Sequence, residues 1–434
     1  MEKREKLARC GGEKTIAAED ERLFHWPIVT QEDEDAVLAV LRAGTMSGTD
    51  ITKRFEREFA EWMNVSYALA VCNGTAALVA AMWACGVGAG DEIICPSMTY
   101  WASAAPALTL GATVNFADID PVSLCIDPDD IEKRIGNRTK AIVVVHYAGH
   151  PCDMDRILPI AQRHGVRVIE DVSHSQGSLY KGRMCGTMGD IAAMSLMAGK
   201  SFAIGEGGMI VTNDRSLYER CIAFGHYERT GAQSRFNPRD NQITDPELAR
   251  FSGIPLGAVK HRMNQTVSAM GRVQLVHYPA RIAEIQAALN RFWDALEGVP
   301  GIRPHRPEQG SGSTMGGWYY PHGLYVADEL PGLSCERFCE AVRAEGFSSC
   351  LPGANKPLHL HPYFHEADIF RQGEPTAIAF GQRDVRQGAG TLPVSESIDQ
   401  ICFTVPWFKH DDPEKIAAYA RIFRKVALQY KDLI

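Results

Sequence analysis

The sequence predicts an α/β protein with a large domain on a mainly parallel sheet and a smaller C-terminal α/β domain. Three observations predict it. Short apolar runs alternate with helical stretches between residues 67 and 212, and such alternation means right-handed crossovers and a sheet covered on both faces. Asp171, Lys200 and a glycine cluster (Gly205, Gly207, Gly208) stand just past the ends of successive runs, where the strands of an open α/β sheet meet a crevice. Beyond a long helical stretch at 266–296, short strands and helices alternate again in the pattern of a small capping unit. A chain of 434 residues suits two domains. The expected organisation is a lead-in at 1–29, a large domain at 30–275, and a linking helix with the small domain at 276–434.

Taken in order, residues 1–29 are polar and read as a mobile lead-in. The acid-rich stretch from Gln31 carries an apolar stripe at helical spacing and stops near Gly44, and a further helix is expected over 51–63. A strand at 67–72 runs into Asn73-Gly74-Thr75, the turn that starts the helix TAALVAAMWACG. A strand, turn and helix start is a ready anion site, because free backbone N–H groups and the positive dipole end meet there; a plain turn is the bland alternative. Strands follow at 92–95, closed by Pro96, and at 113–119, 141–147 and 166–170, with helices at 99–110 and 154–164. The runs 191–197 and 209–212 complete the large domain's strands, and a helix covers 215–225. Residues 226–265 are polar and too long for a structureless connection inside a compact domain. They read either as a surface loop or as an arm toward a partner. In the C-terminal part GSGSTMGG is a flexible segment, strands are expected at 318–326 and 401–405, helices at 334–344 and 412–430, and PLHLHPYF is a loop.

Composition narrows the class. With 45% hydrophobic and 23% charged residues and a net charge of −8, the chain reads as an ordinary globular protein and not as a general nucleic-acid or anionic-membrane binder. The N-terminus MEKREKLARCGGEK has charges where an export signal needs an apolar core, so a cytoplasmic protein is expected. The uncharged stretch 93–117 is broken by Pro96, Pro106 and Gly111 and reads as strand, helix, strand rather than a membrane span. Twelve cysteines without a CxxC pair point to reduced thiols and no metal site.

The chemistry concentrates in residues 168–213. Gly199-Lys200-Ser201 invites a phosphate-loop reading, which fails because the glycine required five residues earlier is Met194 and the other glycines follow the lysine. Gly86, Gly88 and Gly90 close a helical stretch instead of opening one, so they make no dinucleotide fingerprint. What fits is a lysine that holds pyridoxal phosphate (PLP) as a Schiff base, with an upstream aspartate that keeps the ring nitrogen protonated. A lone lysine at a strand end is more often a solvated charge, so the surrounding block has to decide.

That block, EDVSHSQGSLYKGRMCGTMGDIAAMS followed by GKSFAIGEGGMIVTND, resembles the DegT/StrS family of PLP-dependent sugar and cyclitol aminotransferases. The resemblance runs from about residue 30 through NGTAAL, PSMTYWAS, HYAGHPCDMD and PLHLHPYF. It implies a fold-type I PLP transferase acting as a homodimer with shared active sites. By matching position, Lys200 and Asp171 are the catalytic pair, and Gly74, Thr75 and Ser195 hold the cofactor phosphate. Tyr100 stacks on the pyridine face, His174 lies beside the ring oxygen and His359 lies near the substrate. As lone residues, His174 and Ser195 read equally as core groups, while for Tyr100 and His359 a structural role is the commoner reading. The family usually has an asparagine two residues before an Arg-Met pair, reaching the partner's cofactor phosphate; here that position holds Lys260. The reaction implied moves an amino group from glutamate or glutamine to a keto-sugar nucleotide or keto-cyclitol. A sugar dehydratase of the same family would carry histidine in place of Lys200. A non-catalytic PLP-binding regulator would be expected to lose part of the Asp171, His174, Lys200 set, and all three are present.

Overall fold

The computed structural model describes residues 5–231 and 240–434, so part of the polar arm lies outside the described residues. In chain order its strands are β1 (Tyr67–Val71), β2 (Glu92–Pro96), β3 (Thr113–Ala117), β4 (Thr139–Val145), β5 (Arg167–Asp171), the hairpin pair β6 (Leu179–Tyr180) and β7 (Arg183–Met184), β8 (Ile191–Ser195), β9 (Gly208–Thr212), β10 (Ile302–Pro304), β11 (His322–Tyr325) and β12 (Cys402–Thr404). Seven of them form the central sheet in the order β1-β9-β8-β5-β4-β2-β3. Strands β2, β3, β4, β5 and β8 run parallel to their neighbours in that set. β9 is antiparallel to both β8 and β1. The reversal comes from the segment after β8, which folds back on itself through Leu196 N–H to the Gly207 carbonyl (2.8 Å) and Ala198 N–H to the Gly205 carbonyl (2.7 Å). The sheet is therefore mainly parallel, as expected, with one strand turned round by the glycine-rich loop.

Local chemistry fixes the helices that set the site. α1 (Gln31–Ala43) opens on a capping box between Thr30 and Asp33 and closes on Gly44 at φ 66°, a left-handed conformation that glycine adopts without strain. α2 (Asp50–Met63) follows, and α3 (Gly74–Ala84) starts where the Asn73 side chain accepts from Ala76 N–H. The helix expected at 99–110 is instead a turn, Trp101–Ser103, and a short helix, Pro106–Thr109. Pro106 has no N–H to continue a helix but suits the start of one.

The small unit is built on the antiparallel sheet β10-β11-β12. Its core includes Phe292, Phe338, Phe403 and Phe423. The strand expected over 318–326 is only β11, because Trp318 (φ 50°) and Tyr320 (φ 49°) are left-handed and cannot join a ladder. The helix Gln265–Asp294 links the units: Leu275, Tyr278 and Ile282 pack in one cluster with Phe55 and Phe59 of α2, and Ile285, Leu289 and Phe292 belong to the small core. The lead-in is docked rather than mobile over its described part. Leu7 and Leu23 are buried in the small core, and Ala8 N–H donates to Glu345 Oε1 (2.7 Å).

The free edge of the sheet at β3 is covered. The Gln387 amide takes the place of a strand there, accepting from Phe116 N–H (2.9 Å) and donating to the Phe116 carbonyl (2.7 Å). No helix among the described residues is long and apolar enough to cross a membrane, and no group of three or more metal-ligating side chains occurs among them.

Candidate active site

β5 ends on two carboxylates, Glu170 and Asp171, and consecutive strand residues face opposite sides of a sheet. Glu170, fully buried, accepts from Gly186, Met188 and Gly189 N–H and pairs with His146 Nε2 (2.9 Å). Burial opposes its charge, yet His146 and the loop amides hold it below the usual carboxylate range. Asp171 lines a cavity of about 690 Å³ on the other side. Its two oxygens accept from Ser103 Oγ (2.7 Å) and Ser173 N–H (3.0 Å), both neutral donors.

Gly74, Thr75, Tyr100, His174, Ser195 and Lys200 line the same cavity, so strand ends distant in sequence meet as the sheet topology requires. At the start of α3 the backbone needs glycine: a Cβ on Gly74 would lie 2.6 Å from the Ser195 Cβ. The first-turn N–H groups of a helix have no intrahelical acceptor, so Gly74 and Thr75 present donors where the dipole favours an anion. Ser195 is held by its N–H to Ser173 Oγ (2.9 Å) and by Gln176 Nε2 on its carbonyl (2.7 Å). Tyr100 is half exposed at the mouth of the site.

Lys200 is 7% exposed, and its amine stands 4.0 Å from the centre of the Tyr319 ring. Burial lowers its pKa to about 8, with Asp171 opposing the shift, so it gives up its proton far more readily than an exposed lysine. The segment is braced from both sides. Trp26 Nε1 donates to the Lys200 carbonyl (2.8 Å), and Ser201 Oγ donates to Gln176 Oε1 (2.9 Å). His174 stacks on Tyr319 at 4.3 Å and accepts from Ala148 N–H at Nδ1 (3.4 Å), which leaves the ring proton on Nε2. Burial, with Lys200 and His322 adding to it, pushes the His174 pKa well below 6.5. The arrangement offers a nucleophilic amine, an anion cradle, a carboxylate ready for a cation, and a neutral imidazole donor.

Two expected site residues stand elsewhere. His359 is buried outside the cavity, held between Ser97 Oγ (2.6 Å at Nδ1) and Glu396 Oε1 (3.1 Å at Nε2). There it anchors PLHLHPYF to the segment after β2 that leads to Tyr100. Lys260 is exposed, with its amine 5.6 Å from the centre of the Tyr227 ring, and does not line the cavity of its own chain. The cavity residues that the sequence reading did not single out include Tyr147, Glu206, Tyr319, His322 and Asn355. The glycine-flanked aromatic run GGWYYPHG was the available signal for Tyr319 and His322.

Residues 27–417 match the model of the DegT/DnrJ/EryC1/StrS aminotransferase family. The spore coat polysaccharide biosynthesis protein SpsC of Bacillus subtilis (strain 168) is 32% identical over 363 residues, covering 83% of this chain and 90% of that protein. L-glutamine:2-deoxy-scyllo-inosose aminotransferase of Streptomyces kanamyceticus is 32% identical over 356 residues, covering 80% of each. The solved structure of an aminotransferase from Psychrobacter cryohalolentis superposes with a TM-score of 0.78 at 29% identity, over 94% of this chain and 99% of that one.

The buried setting of Lys200 has a direct readout. Reductive ¹³C-methylation of the ligand-free protein should give one lysine signal, absent in Lys200→Arg, that titrates near about 8. A midpoint at the ordinary lysine value of ~10.4 would contradict the geometry.

Proposed function

The chain belongs to the DegT/DnrJ/EryC1/StrS aminotransferase family, and on that premise we propose that it moves an amino group from glutamate or glutamine to a keto-sugar nucleotide or keto-cyclitol. The observation that carries the reading is a buried Lys200 sharing one cavity with a buried Asp171 that accepts only from neutral donors.

The cavity's own chemistry fits PLP. A Cβ would fill the cradle at Gly74. Asp171 lacks a cation among its hydrogen-bond donors, and burial lowers the pKa of Lys200 to about 8, easing loss of its proton. When bound, PLP supplies an electron sink and carries the amino group between the two half-reactions. Lys200 would hold it covalently through its amine, and the same amine, when free, would move a proton at the substrate carbon. Asp171 would hold a proton on the ring nitrogen. Gly74, Thr75 and Ser195 would bind the phosphate, Tyr100 would pack on the ring, and the Nε2–H of His174 would donate to the ring oxygen. Burial of His174 keeps it a neutral donor rather than a competing cation. Lys200 also disfavours the family's dehydratase reading, which would carry a histidine there, and the intact Asp171, His174, Lys200 set disfavours a purely regulatory role.

The working form in this reading is a homodimer. Among the described residues that line the cavity, Lys200 is the one lysine or arginine, and its amine would be engaged in holding the aldehyde. A phosphate dianion in a site of low dielectric calls for further positive charge. Lys260, exposed on its own protomer, is the residue assigned to reach the partner's site.

Two outcomes are expected. In Asp171→Ala, rapid mixing with glutamate or glutamine should show the cofactor's spectral conversion slowed by about a hundredfold or more, with the phosphate cradle still retaining PLP. Wild-type conversion rates in this variant would refute the role. Lys260→Ala should weaken PLP retention roughly tenfold with an unchanged sedimentation coefficient. Unaltered retention, or full activity in a wild-type monomer, would remove the cross-subunit assignment.

A further inference from the structure

Lys200 stands in no strand or helix, so no ladder holds its backbone. Its N–H donates to the Met197 carbonyl (2.8 Å), and its carbonyl accepts from Trp26 Nε1 (2.8 Å). Trp26 comes from the lead-in, 174 residues earlier in the chain. It precedes the residues 27–417 that match the family model and is not one of the residues that line the cavity. The lead-in is held by the small unit. Leu23 is buried in the small core, and its carbonyl accepts from Lys409 N–H (2.8 Å). Phe24 packs on Phe408 and Tyr419, with 5.8 and 5.6 Å between ring centres.

A second line of contacts runs from the same tryptophan to the lysine's amine. The Lys409 amine, buried and without a hydrogen-bond partner, lies 4.6 Å from the centre of the Trp26 ring and also over the Trp407 ring. Trp407 donates from Nε1 to the Gly317 carbonyl (2.9 Å) and meets Tyr319 edge-on at 5.5 Å. Tyr319 is the ring against which the Lys200 amine stands at 4.0 Å. The lead-in thus reaches both ends of Lys200, its carbonyl directly and its amine through Lys409, Trp407 and Tyr319. A peptide unit is planar, so pinning the carbonyl fixes the plane that carries the Lys200 Cα and limits the arc over which its flexible side chain swings. A reacting group displaced by about 1 Å can lose about a hundredfold in rate, so this bond bears on the chemistry without touching substrate.

Resting on the aminotransferase reading above, we propose that Trp26 is a positioning residue for the reaction: its indole N–H, carried by the docked lead-in, fixes the peptide of Lys200 and with it the place of the amine. Trp26→Phe removes the N–H and keeps a ring over Lys409. Two measurements on the full chain test the role. In the ligand-free protein, the ¹³C-methyl signal of Lys200 should titrate about one pH unit higher than in wild type, because a loosened amine gains water and its charged form is favoured. In the PLP-loaded enzyme, spectral conversion by glutamate or glutamine should slow about tenfold. The donor concentration that gives half the maximal rate should stay within about twofold of wild type, since no contact to the donor is lost. A bond that only holds the lead-in down would lower the melting temperature and leave the Lys200 midpoint where it was. Should the phenylalanine variant fail to fold, Trp26→Leu carries the same comparison. An unchanged Lys200 midpoint, or a conversion rate within about twofold of wild type, would overturn the inference. A wild type inert to both donors would sink the aminotransferase reading instead, and the titration of the ligand-free protein would still decide the role of Trp26.

Discussion

The site depends on how β5 ends. Glu170 and Asp171 are adjacent in sequence, and the pleat sends their side chains to opposite sides of the sheet. Glu170 is buried in three loop amides and the His146 ring, which fixes the loop joining β7 to β8 and thereby the strand that leads to Lys200. Asp171 is left to the cavity, with neutral donors only. A carboxylate removed from water is costly unless charge and hydrogen bonds meet it, so a cation arriving with a ligand would complete what the two neutral donors leave open. One strand end thus carries both a structural and a chemical anchor.

The rest of the cavity follows the same logic of groups held ready. The fold after β8 puts Lys200 against Tyr319 and keeps it in surroundings that favour its neutral form. Close backbone approach at Gly74, and at Gly208, where a Cβ would lie 2.4 Å from the Asn73 carbonyl oxygen, packs the start of α3 against the ends of β8 and β9. The anion cradle and the lysine are therefore set by one packing arrangement. Trp26, from the docked lead-in, closes it by bonding to the Lys200 carbonyl.

Much of this was legible in the sequence, and the exceptions have physical causes. Apolar runs between turn residues located the seven strands of the large sheet, and their alternation with helices placed Asp171, Lys200 and the Asn73-Gly74-Thr75 turn at one crevice. The reversal of β9 was not visible in periodicity, since a buried strand reads alike in either direction. Pro106 split an expected helix, and the left-handed Trp318 and Tyr320 cut an expected strand to four residues. The small unit's share of the wall was the least legible part. Tyr319 and His322 come from a turn-rich stretch and Asn355 from a loop, with no spacing that joins them to Lys200. His359 stood out in the sequence because PLHLHPYF is distinctive, yet its nitrogens are taken by Ser97 and Glu396.

The central claim is that Lys200 is the residue that holds the cofactor. Borohydride reduction of the PLP-loaded enzyme, followed by proteolysis and mass spectrometry, tests it directly. The account predicts the cofactor's mass on the peptide containing Lys200, and no fixed mass in Lys200→Ala. The same adduct on another lysine, or an unchanged yield of it in the variant, would contradict it.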